Sequence, residues 1–455
     1  MRYRSTIFVV VLALIGVVAM ILAGGTDTAR RRTISKTQRL LTPAQFPVDE
    51  IARITMKRPS DKTVVFERQG ANWSQIQPFA YPMDPFSIRQ LAVLAGELEI
   101  FDRIDPADLH GGPSLATLAL QPAAAEIIYE WSGGTMTIQC GRRSVAGRAY
   151  VRLAGDNTIY VVNQKLHERA VEMDPKEWRD RTIFQNVGVE SSAIEWQNGP
   201  VKLALVRERK HWKMVEPVRT RIDPTARDAY LQALNSAKNG GFIFDQPAPE
   251  DLAKFGLSAP VLSLKITTPK SPGNATTLPD DAQKLLVGSR VGATSQDRFA
   301  MIEGRPVVVR LSGPVLAALF RQPHDLADPV VSGVNPADVK SIVIRKGQSE
   351  LKLDRDLERW RAPEHGGNEV NPAHVQELLD QLTKLRAPAV EFKPYPHELE
   401  VATITLFGYD AKAVDTVRIA QEKDSGRWML ENGDDVLRLF PPSMKIRMTA
   451  EDFGL

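Results

Sequence analysis

The sequence predicts an α+β protein in which an N-terminal transmembrane helix is followed by three tandem related modules of antiparallel strands, each with a capped amphipathic helix. Three observations lead to this prediction. An apolar run without any charged residue occupies residues 7–25. Three times, a Trp stands eleven residues before an Asp or Asn that is followed by Pro. Runs in which apolar and polar residues alternate precede each of these Trp residues, as in half-buried strands.

The first element is the run IFVVVLALIGVVAMILAGG at residues 7–25. At 1.5 Å per residue, a helix of about 19 residues extends about 28 Å, which is close to the hydrocarbon thickness of a bilayer. The run therefore predicts a membrane segment, either a retained anchor or a long signal peptide that is removed, and its length favours the anchor. Basic residues flank it on both sides, so charge alone does not set its orientation. Its position favours a single-pass anchor in the cytoplasmic membrane, with the bulk of the chain in the periplasm.

Three helices are expected to begin directly after the repeated Asp or Asn. The oxygen of such a side chain accepts a hydrogen bond from a free backbone N–H at a helix start, and Pro at the first helical position has no N–H to leave unpaired. The three pairs of Trp and cap are Trp73 with Asp84, Trp212 with Asp223, and Trp360 with Asn371. We expect the Trp residues to pack in cores and the caps to be structural.

An apolar stripe with helical spacing follows each cap, and it predicts which face of each helix is buried. The stripes are Ile88, Leu91, Ala92, Ala95 and Leu98 in the first copy, Tyr230, Leu231 and Leu234 in the second, and Val375, Leu378, Leu379, Leu382 and Leu385 in the third. Two alternating runs before each Trp predict a hairpin, and another extended run follows each helix.

The repeated unit is about 140 residues long, which is the size of a domain. The predicted organisation is a short N-terminal tail (1–6), the anchor (7–25), a basic juxtamembrane linker (26–45), two repeats (46–186 and 187–333) and a divergent third repeat (334–455).

Composition and motifs favour a protein without catalytic chemistry. The formal net charge is +3 with the signs mixed along the chain, which disfavours a nucleic-acid partner. The sequence has no Gly-rich phosphate loop, no His-Glu-x-x-His helix and no Gly-x-Ser-x-Gly turn. With one Cys, Cys140, and seven His that do not pair at ligand spacing, no metal site can be written. We therefore predict no catalytic residue, no cofactor and no metal.

Several stretches are similar to the bacterial domain-of-unknown-function family 4340, over most of residues 46–331 and more loosely beyond. They are WSQIQPFAYPMDPFSIRQLAVLAGEL, WKMVEPVRTRIDPTARDAYLQAL, FGLSAPVLSLKIT and WRDRTIF. Pro78 and Pro217 stand five residues after their Trp, whereas Pro363 in the third copy stands only three residues after it. The resemblance implies an envelope-anchored accessory protein, since members are often associated with ABC-type transport systems that resemble gliding-motility components. It implies no catalytic residue.

Two hypotheses about function follow. The first is a noncatalytic, membrane-tethered scaffold that presents a surface to ABC permease or ATPase subunits or to other envelope proteins. The alternative is a periplasmic polysaccharide- or peptide-binding protein that uses clefts between modules. Exposure of Trp131, Trp178 or Trp196 along such a cleft would favour the alternative. An enzyme would require titratable residues that converge in one cleft.

Overall fold

The computed structural model describes residues 38–59, 61–105, 114–188, 191–209, 211–269 and 281–455. The predicted anchor at 7–25 and the first part of the predicted linker lie outside these residues. Among the helices that are described, none is both long and apolar enough to cross a membrane. The chain divides into two compact units, Met1–Asp180 and Arg181–Leu455.

The first unit contains repeat 1, a nine-stranded sheet with one long helix. Its strands are β1 (Arg53–Lys57), β2 (Val64–Gln69), β3 (Asn72–Gln77), β4 (Tyr81–Met83), β5 (Ile100–Ile104), β6 (Ala125–Trp131), β7 (Gly134–Ser144), β8 (Arg148–Leu153) and β9 (Ile159–Asn163). Helix α1 (Pro85–Gly96) lies between β4 and β5, and the short helix α2 (Lys165–His167) follows β9.

The second unit contains repeats 2 and 3. Repeat 2 has β10 (Ala193–Asn198), β11 (Val201–Glu208), β12 (His211–Glu216), β13 (Thr220–Arg221), α3 (Pro224–Ser236), β14 (Phe242–Asp245), α4 (Pro249–Lys254), β15 (Leu262–Thr268), β16 (Asp281–Arg290), β17 (Arg298–Ile302), β18 (Val307–Leu311) and α5 (Gly313–Leu319). Repeat 3 has β19 (Ser341–Lys346), β20 (Ser349–Asp356), β21 (Arg359–Ala362), β22 (Asn368–Val370), α6 (Pro372–Thr383), β23 (Ala389–Phe392), β24 (Glu400–Phe407), β25 (Ala413–Gln421), β26 (Trp428–Glu431) and β27 (Val436–Phe440).

All three sheets have the same strand order. In repeat 1 it is β4-β3-β2-β1-β6-β7-β8-β9-β5, and repeats 2 and 3 reproduce it strand for strand. Every pairing is antiparallel, and β1 lies near the centre of its sheet, where Arg53 is opposite Glu130 of β6 and Glu67 of β2. The predicted tandem pattern of antiparallel modules is confirmed.

Each long helix packs its apolar stripe against its sheet because burial of that stripe removes apolar surface from water. The buried residues are Ile88, Leu91, Ala92 and Ala95 of α1, Tyr230 and Leu234 of α3, and Val375, Leu378, Leu379 and Leu382 of α6. One expectation was wrong: Leu385 is 41% exposed, because α6 ends at Thr383, before the next turn of the stripe.

Repeats 1 and 3 each have a second, smaller apolar cluster, formed by Leu118, Leu120 and Ile159 in repeat 1 and by Tyr395, Ala420, Met429, Leu437 and Leu439 in repeat 3. In repeat 1, the chain between β5 and β6 crosses β7 so closely that a Cβ at Gly141 would lie 2.5 Å from the Leu118 carbonyl oxygen. In repeat 2, a Cβ at Gly288 would lie 2.1 Å from the Phe255 carbonyl oxygen. Only glycine permits these crossings. The equivalent position in repeat 3 is the fully buried Ala420.

Each repeat is entered by a short segment that pairs with the residues just after its long helix. We call residues 38–41, 181–183 and 329–332 the entry segments. The corresponding bonds are Ile100 N–H to Gln38 C=O, Asn239 N–H to Arg181 C=O, and Ala387 N–H to Pro329 C=O, at 2.9, 2.9 and 3.1 Å. Residues 38–41 belong to the predicted linker (26–45), yet they pair with repeat 1, and Leu41 is buried in its core.

Candidate functional site: the joint between repeats 2 and 3

Asp223 performs two tasks at the start of α3. Its carboxylate accepts a hydrogen bond from the backbone N–H of Thr225 at 3.2 Å, which caps the helix. It also accepts two hydrogen bonds from the guanidinium of Arg386 in repeat 3, at 2.6 and 3.3 Å. Burial alone would raise the pKa of Asp223, but the bonds from Arg386 and from the Thr225 backbone outweigh it and hold that pKa below its usual value.

A second ion pair lies deeper in the joint. Arg438 of β27 is fully buried, and its guanidinium donates two hydrogen bonds to the Asp434 carboxylate at 2.7 and 3.0 Å. It also donates to the backbone carbonyl of Asp328, at 3.0 Å. Asp434 in turn accepts a hydrogen bond from the hydroxyl of Thr220 in repeat 2. A buried charge is tolerated only when it is paired and hydrogen-bonded, as Arg438 is here.

Backbone pairing completes the joint. We call residues 178–180 and 326–328 the exit segments, because each follows the last element of its repeat. In repeat 2, the Asp223 N–H donates to the Leu326 carbonyl and the Asp328 N–H donates to the Arg221 carbonyl, both at 3.0 Å. The guanidinium of Arg221 also donates to the Asp328 carboxylate at 3.1 Å. The exit segment therefore adds to the edge of β13.

The same pairing occurs in repeat 1. The Asp84 N–H donates to the Trp178 carbonyl at 2.9 Å, and the Asp180 N–H donates to the Pro82 carbonyl at 3.0 Å. Trp178 is buried in the core of repeat 1, as Leu326 is buried in repeat 2. Pairing of an exit segment with the edge strand before the long helix is thus a repeated device of this chain.

Three side-chain contacts connect repeats 2 and 3: the Asp223–Arg386 ion pair, the bond from the Thr220 hydroxyl to the Asp434 carboxylate, and the bond from the Arg438 guanidinium to the Asp328 carbonyl. Every charged group named above has a partner. In the described parts of the chain, no group of three or more His, Cys, Asp or Glu is placed to hold a metal ion.

Two depressions in the surface could hold small ligands. The larger, of about 400 Å³, lies on the sheet of repeat 2, where the ammonium of Lys265 is 3.9 Å from the carboxylate of Glu195. Its other polar lining residues are Gln197, Lys202, Glu216, Ser263 and Lys284. The other, of about 370 Å³, lies in repeat 1 beside Phe46, Val48 and Val93.

The structure places the predicted marker residues as follows. Trp73, Trp212 and Trp360 are buried, and Pro78 and Pro217 each follow a cis peptide bond. Asp84, Asp223 and Asn371 accept hydrogen bonds from the backbone N–H groups of Ser87, Thr225 and Ala373, at 2.9, 3.2 and 3.0 Å. Pro363, the shifted proline of the third copy, instead begins a 3₁₀ turn, Pro363–His365.

Sequence reasoning missed the partners of Asp223. Arg386 is 163 residues away from it, and Asp434 is 214 residues from Thr220. No local spacing signals such pairs; only the alignment of the repeats, which places Arg386 in the residues after α6, could have suggested that it faces the preceding repeat. Of the three Trp residues considered for ligand binding, Trp178 and Trp196 are buried, and Trp131 is half-buried beside Phe46.

The fold and the joint define a tandem-repeat protein built from antiparallel sheets. The chain belongs to the DUF4340 family, a domain of unknown function, whose model matches residues 73–211 and 212–402. Both matched ranges begin at a marker Trp. Among curated proteins, none matches this chain. A solved structure of a DnaN sliding clamp (DNA polymerase III subunit beta) from Pseudomonas aeruginosa, bound to griselimycin, aligns with 8% identity over 90% of this chain and 94% of the clamp chain, with a TM-score of 0.13. A TM-score this low does not indicate a shared fold.

Proposed function

We propose that the protein is a noncatalytic, membrane-anchored scaffold of the cell envelope that serves as an accessory component of an ABC-type transport system. The joint between repeats 2 and 3 carries this proposal. A scaffold has to hold its binding surfaces at a fixed spacing, and the Asp223–Arg386 ion pair and the Thr220–Asp434 bond, which join repeats 2 and 3, suit that purpose.

Two features of the sequence support the location. The charge-free run at 7–25 has the length of a membrane-spanning helix, and the residues after it are basic, as expected beside lipid phosphates. The family resemblance adds the association with ABC-type transport systems. The proposal therefore has the anchor in the cytoplasmic membrane and the repeats in the periplasm.

The test is mild crosslinking in cells, followed by purification of the tagged protein from membranes and mass spectrometry of the proteins recovered with it. The full chain is compared with an anchor-only fragment (1–37) and with an Asp223→Ala/Arg386→Ala variant, which we expect to loosen the joint. The matched control is Arg345→Ala/Glu350→Ala, which removes a solvent-exposed ion pair at 2.8 Å within one hairpin of repeat 3.

The proposal expects ABC permease and ATPase subunits with the full chain and with the control variant, fewer with the joint variant, and none with the anchor-only fragment. Equal recovery with the anchor-only fragment would show that the repeats do not bind the transporter. Recovery of glycans or peptides in place of transporter subunits would support the alternative function. Protease accessibility of the repeats in cells with a permeabilised outer membrane tests the periplasmic location.

The second candidate function, a binding protein for polysaccharides or peptides, is favoured by the depression of about 400 Å³ on repeat 2. This depression lies on one sheet rather than between modules. Its lining of Lys and Glu side chains suits a charged peptide better than a sugar, because Trp196 is buried and offers no ring face for stacking.

Calorimetric titration of the full chain with charged oligopeptides tests this second function, and the variant Ala204→Trp is designed to fill the depression. Binding that Ala204→Trp abolishes would support this candidate, whereas the lack of binding to the unaltered chain would contradict it.

A further inference from the structure

A row of charged side chains crosses the sheet of repeat 2 at the depression of about 400 Å³. Glu195 of β10 lies directly opposite Lys265 of β15, and Lys265 lies directly opposite Lys284 of β16. Residues directly opposite each other project from the same face of a sheet. Glu195 stands between the buried Ile194 and Trp196, so the row lies on the face turned away from the core. We call Glu195, Lys265 and Lys284 the charged row.

A gap adjoins the acidic end of the charged row at Ala204. This residue lies opposite Glu195 on one side and opposite Glu216 of β12 on the other. Neighbouring strands are about 4.8 Å apart, so the strands that carry the two carboxylates are about 10 Å apart. Only the methyl group of Ala204 projects between them, and a basic side chain of a ligand fits this opening in both size and charge.

Two like charges are neighbours at the other end of the charged row. A pair of lysines directly opposite each other is unfavourable unless an anion lies between them. The ammonium of Lys265 is 3.9 Å from the Glu195 carboxylate, and that of Lys284 is 3.8 Å from the Glu303 carboxylate. Both distances exceed that of a hydrogen bond, and within the described residues neither ammonium has a closer carboxylate. With side chains 46% and 39% exposed, the two lysines can donate to a carboxylate of a ligand.

The corresponding rows of the other repeats carry no charge at these three positions. They consist of Thr55, Ile128 and Thr137 in repeat 1, and of Val343, Thr405 and Thr416 in repeat 3. The place of Ala204 is taken by the larger Val65 in repeat 1 and by Lys352 in repeat 3. Because the three sheets share their strand order, the fold itself requires neither the charges nor the gap of repeat 2.

We propose that the charged row binds an extended peptide segment that carries a basic and an acidic side chain four residues apart. The gap at Ala204 and the midpoint between Lys265 and Lys284 are two and a half strand spacings apart, about 12 Å. In an extended chain, residues four apart are separated by about 13 Å and project to the same side, whereas residues three apart project to opposite sides. The basic side chain lies between Glu195 and Glu216, and the acidic one accepts hydrogen bonds from the two lysines. This inference rests on the second candidate function, to which it adds the identity and spacing of the ligand's charges.

Fluorescence anisotropy of labelled peptides, titrated with the full chain in detergent, tests the spacing. The probes are two heptapeptides of identical composition with blocked termini, Thr-Lys-Thr-Ser-Thr-Glu-Thr and Thr-Lys-Thr-Ser-Glu-Thr-Thr. Their Lys and Glu are four and three residues apart, respectively. Only the first presents both charges to the sheet at once, so we expect it to bind about fivefold more tightly.

Charge reversal tests the position. Lys265→Glu/Lys284→Glu should lower the affinity for the first peptide about tenfold and raise the affinity for a peptide in which Lys replaces its Glu. Ala204→Lys introduces the residue that repeat 3 carries at this place, and its ammonium should exclude the basic side chain of the peptide. The matched control, Lys393→Glu/Lys412→Glu, makes the same change of net charge at side chains that are 65% and 81% exposed in repeat 3, and it should leave the affinity unchanged.

A loss of affinity in Lys265→Glu/Lys284→Glu that the altered peptide restores would support the proposal. Equal affinity for the two spacings, or an equal loss in the control variant, would overturn it while leaving peptide binding, the second candidate function, in place. If the unaltered chain bound none of the peptides, both would be wrong. Thermal unfolding of each variant checks that its fold is retained, and the comparison of the two spacings on the unaltered chain needs no variant.

Discussion

Replacement of Asp223 by Ala should loosen the joint between repeats 2 and 3. The lost helix cap costs about 1 kcal/mol. Hydrogen bonds to charged groups contribute about 1.5–3 kcal/mol when the partners are buried. Since the Asp223 side chain is only 8% exposed but that of Arg386 is 56% exposed, solvent screening reduces the pair to about 1.5 kcal/mol. Asp223→Ala should therefore lower the opening free energy of the joint by about 2.5 kcal/mol, and Asp223→Asn, which keeps a cap, by about 1.5 kcal/mol.

Hydrogen exchange of the full chain, measured by mass spectrometry, reports the opening free energy of the joint at the backbone amides of residues 326–332. Since about 1.4 kcal/mol corresponds to a factor of ten, Asp223→Ala should accelerate exchange there about 70-fold and Asp223→Asn about 10-fold. Asn371→Ala is the matched control, because it removes a cap that has no Arg partner, and it should accelerate exchange in α6 only about fivefold.

The contradicting outcome is that residues 326–332 exchange in Asp223→Asn at the rate of the unaltered chain, while Asp223→Ala accelerates exchange no more than Asn371→Ala does. Such a result would mean that the cap accounts for the whole effect and that Arg386 adds no stability. Exchange in residues 38–105 serves as the internal reference, since the substitution lies in the other compact unit.

Three further predictions concern groups already described. The folded-state pKa of Asp223 is lowered, so its contribution to stability is complete above its unfolded pKa of about 3.9 and is lost as the pH falls from there through the folded-state pKa. The protection of residues 326–332, taken relative to the intrinsic exchange rate at each pH, should therefore decrease below about pH 4, and much less so in Asp223→Asn. Gly288→Ala should lower the melting temperature by several degrees, since its Cβ would lie 2.1 Å from the Phe255 carbonyl oxygen, whereas calorimetry of Ala420→Gly should show a small change. Because burial raises the pKa of Cys140 to about 12, iodoacetamide at pH 8 should modify it only after denaturation, and modification of the native chain would show that this part of the core opens.

Local signals predicted the long helices well because each signal lies within a few residues of what it determines. The helices begin at Pro85, Pro224 and Pro372, directly after the Asp or Asn that caps them. The predicted apolar stripe of the third copy includes Leu385, which lies beyond the end of the helix at Thr383. Caps and 3.6-residue periodicity are properties of one segment, so no knowledge of the rest of the fold is needed to recognise them.

The sheet order and the joint could not be predicted, because they depend on pairing between distant segments. Alternation identifies a strand but not its neighbour, and nothing in Ile100–Ile104 indicates that it pairs with β9 at the far edge. The joint depends on Asp223 and Arg386, whose charges are unremarkable in a chain where a quarter of the residues are charged. The entry segment 38–41 falls within the predicted linker because no local sequence pattern signals its pairing with residues 98–100.

The strand order also determines when each repeat can fold while the chain is being synthesised. In each repeat the first strand needs a partner, β6, β15 or β24, that emerges from the ribosome only after the long helix. The strand after the helix waits still longer, since β14 has no neighbour until β18 has been made. During that interval Ile243 and Phe244 stand on an unpaired strand, and the surface they expose is a hazard of nascent chains. Each repeat is therefore completed only when its last strand arrives, and a chain cut short inside a repeat exposes a sheet edge rather than a smaller folded protein.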